Sequence, residues 1–84
     1  MNLSASPNPV QENVNINFTL DKISNVDINI YDSVGKLVHQ FNRGAMNGGT
    51  HNIPLNINEL QNGFYIISIQ TEYEQESIKI FKAN

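Results

Sequence analysis

The feature that most constrains the fold of this chain is a two-residue alternation of apolar and polar side chains. It is clearest over residues 13–20, where the apolar members are Val14, Ile16, Phe18 and Leu20. Successive side chains of a β-strand point to opposite faces, so this pattern predicts a strand with one buried face and one wet face.

Residues 26–41 repeat the alternation and predict a β-hairpin. Val26, Ile28 and Ile30 would share the buried face of its first strand. Asp32 can accept hydrogen bonds from backbone amides that follow it, and Gly35 tolerates a positive φ. We therefore place the turn of this hairpin between Asp32 and Lys36.

The rest of the chain contains further strands and one glycine-rich stretch. Pro54 cannot donate to a ladder, which makes residues 51–57 an edge strand or an extended segment. Residues 64–71 are the most apolar run, with Tyr65, Ile67 and Ile69 as the predicted inward face. Residues 42–50 hold three glycines and no apolar period, which predicts a mobile loop where a functional site could lie.

Six or seven short strands with turn residues between them, and no helical period, predict an all-β fold. We expect a small antiparallel two-sheet sandwich, immunoglobulin-like, with about seven strands. Pro7-Asn8-Pro9 interrupts strand pairing, because proline lacks a backbone donor. Residues 1–6 are accordingly assigned to a linker or the end of an upstream region, and residues 7–84 to the sandwich domain.

Composition excludes several classes of function. The net charge is −3 and the five basic residues are scattered, so nucleic acid is not an expected partner. No segment approaches the ~18 apolar residues of a membrane helix, so we expect no membrane insertion. Residues 1–4 lack the features of a signal peptide, so an exported protein would have to be longer than this chain.

The sequence offers little for catalysis or for metal binding. The chain has no cysteine, and its two histidines, His39 and His51, fall short of a three-ligand zinc site. The acidic residues form no calcium loop and the serines lie in no nucleophile elbow. We expect no enzyme activity, no cofactor and no metal.

Two binding surfaces remain as alternatives. The asparagines at strand positions are expected to be a solvated face, or else an amide ladder. A polysaccharide-binding platform would need exposed aromatic rings, and the chain has no tryptophan. Phe18, Phe41, Phe64 and Tyr65 are predicted to lie inside, which leaves Tyr31, Tyr73 and Phe81 for such a surface.

Taken together, four segments resemble the C-terminal sorting domain (type A) of type IX secretion cargo proteins of Bacteroidetes. They are Pro7-Asn8-Pro9, residues 28–38, residues 63–69 and Lys79-Ile80-Phe81-Lys82. Each segment alone occurs widely, whereas their order and spacing are specific. The resemblance implies that the domain targets an upstream cargo protein from the periplasm across the outer membrane to the cell surface or the medium. It also implies as partners the translocon, shuttle proteins and a sortase-like peptidase that removes the domain.

The resemblance assigns two sets of residues. The structural motif comprises Pro7, Asn8, Pro9, Asp32, Gly35, Gly63 and Tyr65. Translocon recognition falls to the C-terminal residues Lys79, Ile80, Phe81, Lys82, Ala83 and Asn84. Such recognition would use an edge strand whose lysines a partner grips by charge or by strand addition.

Three alternatives accompany this interpretation. Lys79 and Lys82, treated as surface residues, would guard an edge strand against aggregation, which is compatible with recognition. The domain could also be a polysaccharide-binding module or a structural spacer. With guarded edges, we expect the domain to be a monomer.

Overall fold

The computed structural model describes residues 1–83, and this part of the chain is an all-β sandwich of seven strands. The strands are β1 (Ser4–Ser6), β2 (Asn13–Leu20), β3 (Ser24–Asp32), β4 (Leu37–Met46), β5 (Gly49–Asn56), β6 (Gly63–Gln70) and β7 (Gln75–Lys82). They form two antiparallel sheets, a three-stranded sheet in the order β1-β2-β5 and a four-stranded sheet in the order β4-β3-β6-β7. The predicted fold class, an all-β two-sheet sandwich of about seven strands, is confirmed.

The core lies between the two sheets and is built from the alternating apolar positions. The inward side chains of β2, β3 and β6 are buried as the periodicity predicts: Val14, Ile16, Phe18 and Leu20; Val26, Ile28 and Ile30; Tyr65, Ile67 and Ile69. β5 pairs only with β2, so the strand that contains Pro54 is an edge strand, as predicted.

The turn between β3 and β4 forms where the sequence places it. The Oδ1 atom of Asp32 accepts hydrogen bonds from the backbone amides of Val34 at 3.0 Å and Lys36 at 2.9 Å. The amide of Asp32 donates to the carbonyl of Lys36 at 2.9 Å, and Gly35 has a φ of +87°. A side chain at position 35 would be strained, so the glycine has a conformational role.

The predicted loop over residues 42–50 is wrong. β4 extends to Met46 and β5 begins at Gly49, so only Asn47 and Gly48 connect these two strands. Gly44 lies at a shift in the β3–β4 register between Val26 and Asp27, with a φ of +68°. A bulge of this kind inserts an extra residue and interrupts the alternation while the strand continues. The sequence of this strand therefore lacks the two-residue period.

The N-terminal segment contacts both sheets. Ser4–Ser6, assigned to the linker by sequence, pairs with β2 as β1. The chain then passes through Pro7-Asn8-Pro9, where both peptide bonds that precede a proline are cis. Val10 follows on the other sheet, in an isolated parallel bridge with Lys82.

Candidate functional site

The C-terminal strand β7 is an edge strand of the four-stranded sheet and pairs only with β6. Its side chains alternate between the two faces of the sheet. Ser77, Lys79 and Phe81 are exposed on the outer face, whereas Ile80 and Lys82 are buried on the inner face. The structure thus divides the predicted recognition segment into an accessible set and a buried set. Asn84 lies outside the described residues.

The end of β7 is already covered on its open side by Val10. The amide of Val10 donates to the carbonyl of Phe81 at 2.8 Å, and the amide of Ala83 donates to the carbonyl of Val10 at 2.9 Å. Backbone groups along an antiparallel strand alternate between its two neighbours, so Ser77 and Lys79 also direct their N–H and C=O groups to the open side. Within residues 1–83, no backbone partner meets Ser77 or Lys79 on that side.

Lys82 departs from the surface position expected of it. Its side chain is 0% exposed, and its Nζ atom has no hydrogen-bond partner within the described residues. Side chains alternate between the two faces along β7. Lys82 is two residues after Ile80, so both side chains point inward. The expectation that both lysines are surface residues holds for Lys79 and is wrong for Lys82.

An open groove lies on the outer face of the four-stranded sheet, next to β7. Its volume is about 450 Å³, and its lining includes Tyr31, Asp32, Phe64, Ile66 and Lys79. The Nζ atom of Lys79 lies 4.4 Å from the centroid of the Phe64 ring. No carboxylate of residues 1–83 forms an ion pair with Lys79, so its cation contacts only an aromatic face.

The aromatic rings are distributed differently from the prediction. Phe18 and Tyr65 are buried and Phe41 is partly buried, but Phe64 is 50% exposed and its predicted inside position is wrong. Phe64 pairs with Phe81, and the two ring centroids are 4.8 Å apart. Since Tyr65 points inward, the two-residue period required Phe64 to point outward, so the pattern itself contained this information.

A comparison with protein families identifies the family of this chain. Residues 4–83 match the family model of the secretion system C-terminal sorting domain. The chain belongs to this family, whose members are sorting signals of type IX secretion. A comparison with curated proteins finds no match.

Several predicted motif residues of the sorting domain meet at the groove. Asp32, Gly35 and Tyr65 line it together with Lys79. The hydroxyl of Tyr65 donates to the carbonyl of Gln61. Burial, and secondarily the charge of Asp32, raises the pKa of Tyr65, so the phenol stays neutral around pH 7.

The other motif residues lie at the same end of the sorting domain. Gly63, which begins β6, is the register partner of Lys82. Pro7-Asn8-Pro9 leads directly to Val10, which bridges Lys82. The predicted structural motif and the predicted recognition segment therefore converge, although they are distant in sequence.

Tyr73 is separate from the other two aromatic candidates. It lies in the turn between β6 and β7, where the Nζ atom of Lys22 is 4.0 Å from its ring centroid. Phe64 and Phe81 pair near the opposite end of this hairpin. Tyr31, Tyr73 and Phe81 thus do not form one platform.

The histidines are engaged in local contacts. His39 Nε2 lies 3.0 Å from Glu59 Oε1, and His51 Nε2 lies 2.7 Å from the carbonyl oxygen of Asn47. No cluster of three or more His, Cys, Asp or Glu residues suited to a metal occurs between Met1 and Ala83. The same part of the chain contains no helix that could span a membrane.

The asparagines of the three-stranded sheet include one cross-strand amide pair. The Nδ2 atom of Asn52 donates to Oδ1 of Asn17 at 2.7 Å. Both residues are register partners on the outer face, on β5 and β2.

Proposed function

We propose that the sorting domain is the export label of an upstream cargo protein, recognised as a folded surface by the type IX secretion machinery. One observation carries this proposal. β7 presents the exposed side chains of Lys79 and Phe81 on the outer face of the sheet, next to a groove lined by residues of the family motif. The family match over residues 4–83 supports the same role.

In this proposal the domain binds and does not catalyse. The cargo crosses to the periplasm by its own signal peptide, and shuttle proteins or the translocon then bind the label. The cargo, from a member of the Bacteroidetes, ends at the cell surface or in the medium. Recognition of a rigid β-surface requires little ordering of the label, which favours binding.

We further propose that a sortase-like peptidase removes the domain after export. A peptidase requires an accessible extended segment, and residues 4–6 are paired with β2 in β1. Cleavage is therefore expected before Ser4, unless β1 first detaches from the sheet.

An export assay tests the proposed function. A signal peptide, a fluorescent protein and this chain are fused and expressed in a type IX-competent bacterium and in a strain that lacks the system. We expect the fusion at the surface or in the medium of the competent strain only, and a fusion without the sorting domain in the periplasm. Periplasmic retention of the intact fusion, in cells that export their own cargo normally, would contradict the proposal.

Polysaccharide binding stays a second candidate, because Tyr31 and the half-exposed Phe64 line the same groove. A glycan array with the isolated domain tests it. Binding that Tyr31→Ala or Phe64→Ala removes, and that Tyr73→Ala preserves, would favour this function.

A further inference from the structure

We propose that β7 accepts an extended segment of a partner protein by β-strand addition at Ser77 and Lys79, with a partner carboxylate paired to Lys79. This inference rests on the proposed function and names the partner's chemistry. The occupant is a strand of another protein that carries an acidic side chain opposite Lys79.

The backbone of β7 fixes the position of the added strand. Val10 forms hydrogen bonds with the carbonyl of Phe81 and the amide of Ala83, so these two backbone groups cannot pair with an added strand. Ser77 and Lys79 together offer two N–H and two C=O groups on the open side, for which residues 1–83 supply no partner. Unpaired groups of this kind are the template for strand addition.

The side chains of the outer face define what the added strand carries. In an antiparallel pair, opposite side chains lie ~4.5–5.5 Å apart, within reach of an ion pair or an apolar contact. Lys79 has no carboxylate partner among residues 1–83, and its cation lies over the Phe64 ring. A carboxylate on the added strand, opposite Lys79, would pair with this cation.

A second copy of this chain fits the edge less well. In an antiparallel pair of two β7 strands, residues whose backbone groups face the open side must pair with each other. On β7 these are the odd positions Gln75, Ser77, Lys79 and Phe81, and none of them is acidic. Lys79 would then never oppose a carboxylate in such a pair. Charge complementarity thus favours a different, acidic partner strand.

The test uses the export fusion with three variants, Ser77→Pro, Lys79→Glu and Lys79→Met, and a matched control. Ser77→Pro removes a donor on the open side of β7 and leaves the ladder to β6 intact, as proline is tolerated on edge strands. Lys79→Glu reverses the charge that would face the partner. Asn52→Pro is the control. Asn52 and Pro54 are two residues apart on β5, so their backbone groups point to the same side of the strand. That side is the open one, because Pro54 has no amide to donate to β2. Thermal unfolding of each isolated domain shows whether the variant folds.

We expect Ser77→Pro and Lys79→Glu to lower export by about tenfold or more while Asn52→Pro exports normally, all three being folded. Lys79→Met keeps the apolar stem over Phe64, and we expect it to lower export by about fivefold through loss of the ion pair alone. If Ser77→Pro does not fold, Lys79→Glu and Lys79→Met decide the question.

Normal export of folded Ser77→Pro and Lys79→Glu would overturn the strand-addition proposal and leave the sorting function intact. A wild-type fusion that is not exported would instead overturn the proposed function. A dimer of the isolated domain that Ser77→Pro dissociates in sedimentation experiments would overturn the partner proposal in favour of a second copy.

Discussion

Val10 and Lys82 form a parallel β-bridge that joins the start of the sandwich to the end of its last strand. Two hydrogen bonds of 2.8 and 2.9 Å hold this contact, and both side chains are 0% exposed. The N-terminal segment, which would connect the domain to an upstream cargo protein, is thereby hydrogen-bonded directly to the predicted recognition strand. Any rearrangement of residues 81–83 must first break the contacts of Val10.

We predict that Val10→Ala destabilises the domain by about 1–3 kcal/mol, because it removes buried apolar surface and leaves a cavity. Val34→Ala is the matched control, since Val34 is 85% exposed. Its effect should stay within about 0.5 kcal/mol. Urea unfolding of the isolated domain measures both, and equal effects would show that Val10 contributes no packing.

The turn carboxylate provides a second prediction. Asp32→Ala removes the acceptor for the amides of Val34 and Lys36, and should lower the free energy of unfolding by about 1–2 kcal/mol. Asp27→Ala is the control, because Asp27 is exposed on the adjoining strand. An unchanged urea midpoint for Asp32→Ala would argue against a stabilising role of the two hydrogen bonds.

The sequence predicts the sandwich because the alternation of apolar and polar residues and the turn residues are local features of the chain. The alternation located the inward faces of β2, β3 and β6, and Asp32 and Gly35 located one turn. The glycines of residues 42–50 were misinterpreted, since a bulge and a strand start use the same residue type as a loop. A bulge depends on the partner strand, which single-strand periodicity does not encode.

The sequence identifies residues of the candidate site but not their arrangement in space. The sequence identifies the C-terminal segment as a candidate, whereas the inside position predicted for Phe64 is wrong, although the period of β6 places Phe64 outward. That Val10 would cover the end of β7 was not predictable, because the isolated bridge joins residues 72 positions apart. The burial of Lys82 follows from the same period, and treating lysine as a surface residue concealed it.

Glu72 predicts a pH dependence of stability. Its carboxylate accepts hydrogen bonds from its own amide and from the amide of Asn25, which lower the pKa of Glu72 below its ordinary value. A carboxyl whose pKa is lower in the folded state stabilises the fold above its unfolded pKa. This contribution is lost as the pH falls through the folded pKa. We expect Glu72→Gln to reduce the loss of stability on acidification below about pH 5, relative to the wild type.

Acid titrations monitored by circular dichroism measure this effect. Glu12→Gln is the control, because Glu12 is exposed and its side chain takes part in no hydrogen bond or ion pair within residues 1–83. Identical acid transitions for Glu72→Gln and the wild type would contradict the prediction.

The buried Lys82 leads to the last prediction. An amine without a hydrogen-bond partner in the interior is costly, whereas its aliphatic stem packs favourably. Methionine keeps a stem of similar length and removes the amine. We therefore expect Lys82→Met to raise the free energy of unfolding by about 1–2 kcal/mol.

Two further variants separate the amine from the stem. Lys82→Ala removes both and should be less stable than Lys82→Met by about 2 kcal/mol or more, because a cavity is left behind. Lys36→Met alters an exposed lysine and should change stability by no more than about 0.5 kcal/mol. Urea unfolding of the three variants gives the comparison. A loss of stability in Lys82→Met, with Lys36→Met unchanged, would mean that the amine of Lys82 is stabilised in the folded domain. In that case the charge of Lys82, and not only its stem, would hold the end of β7 in place.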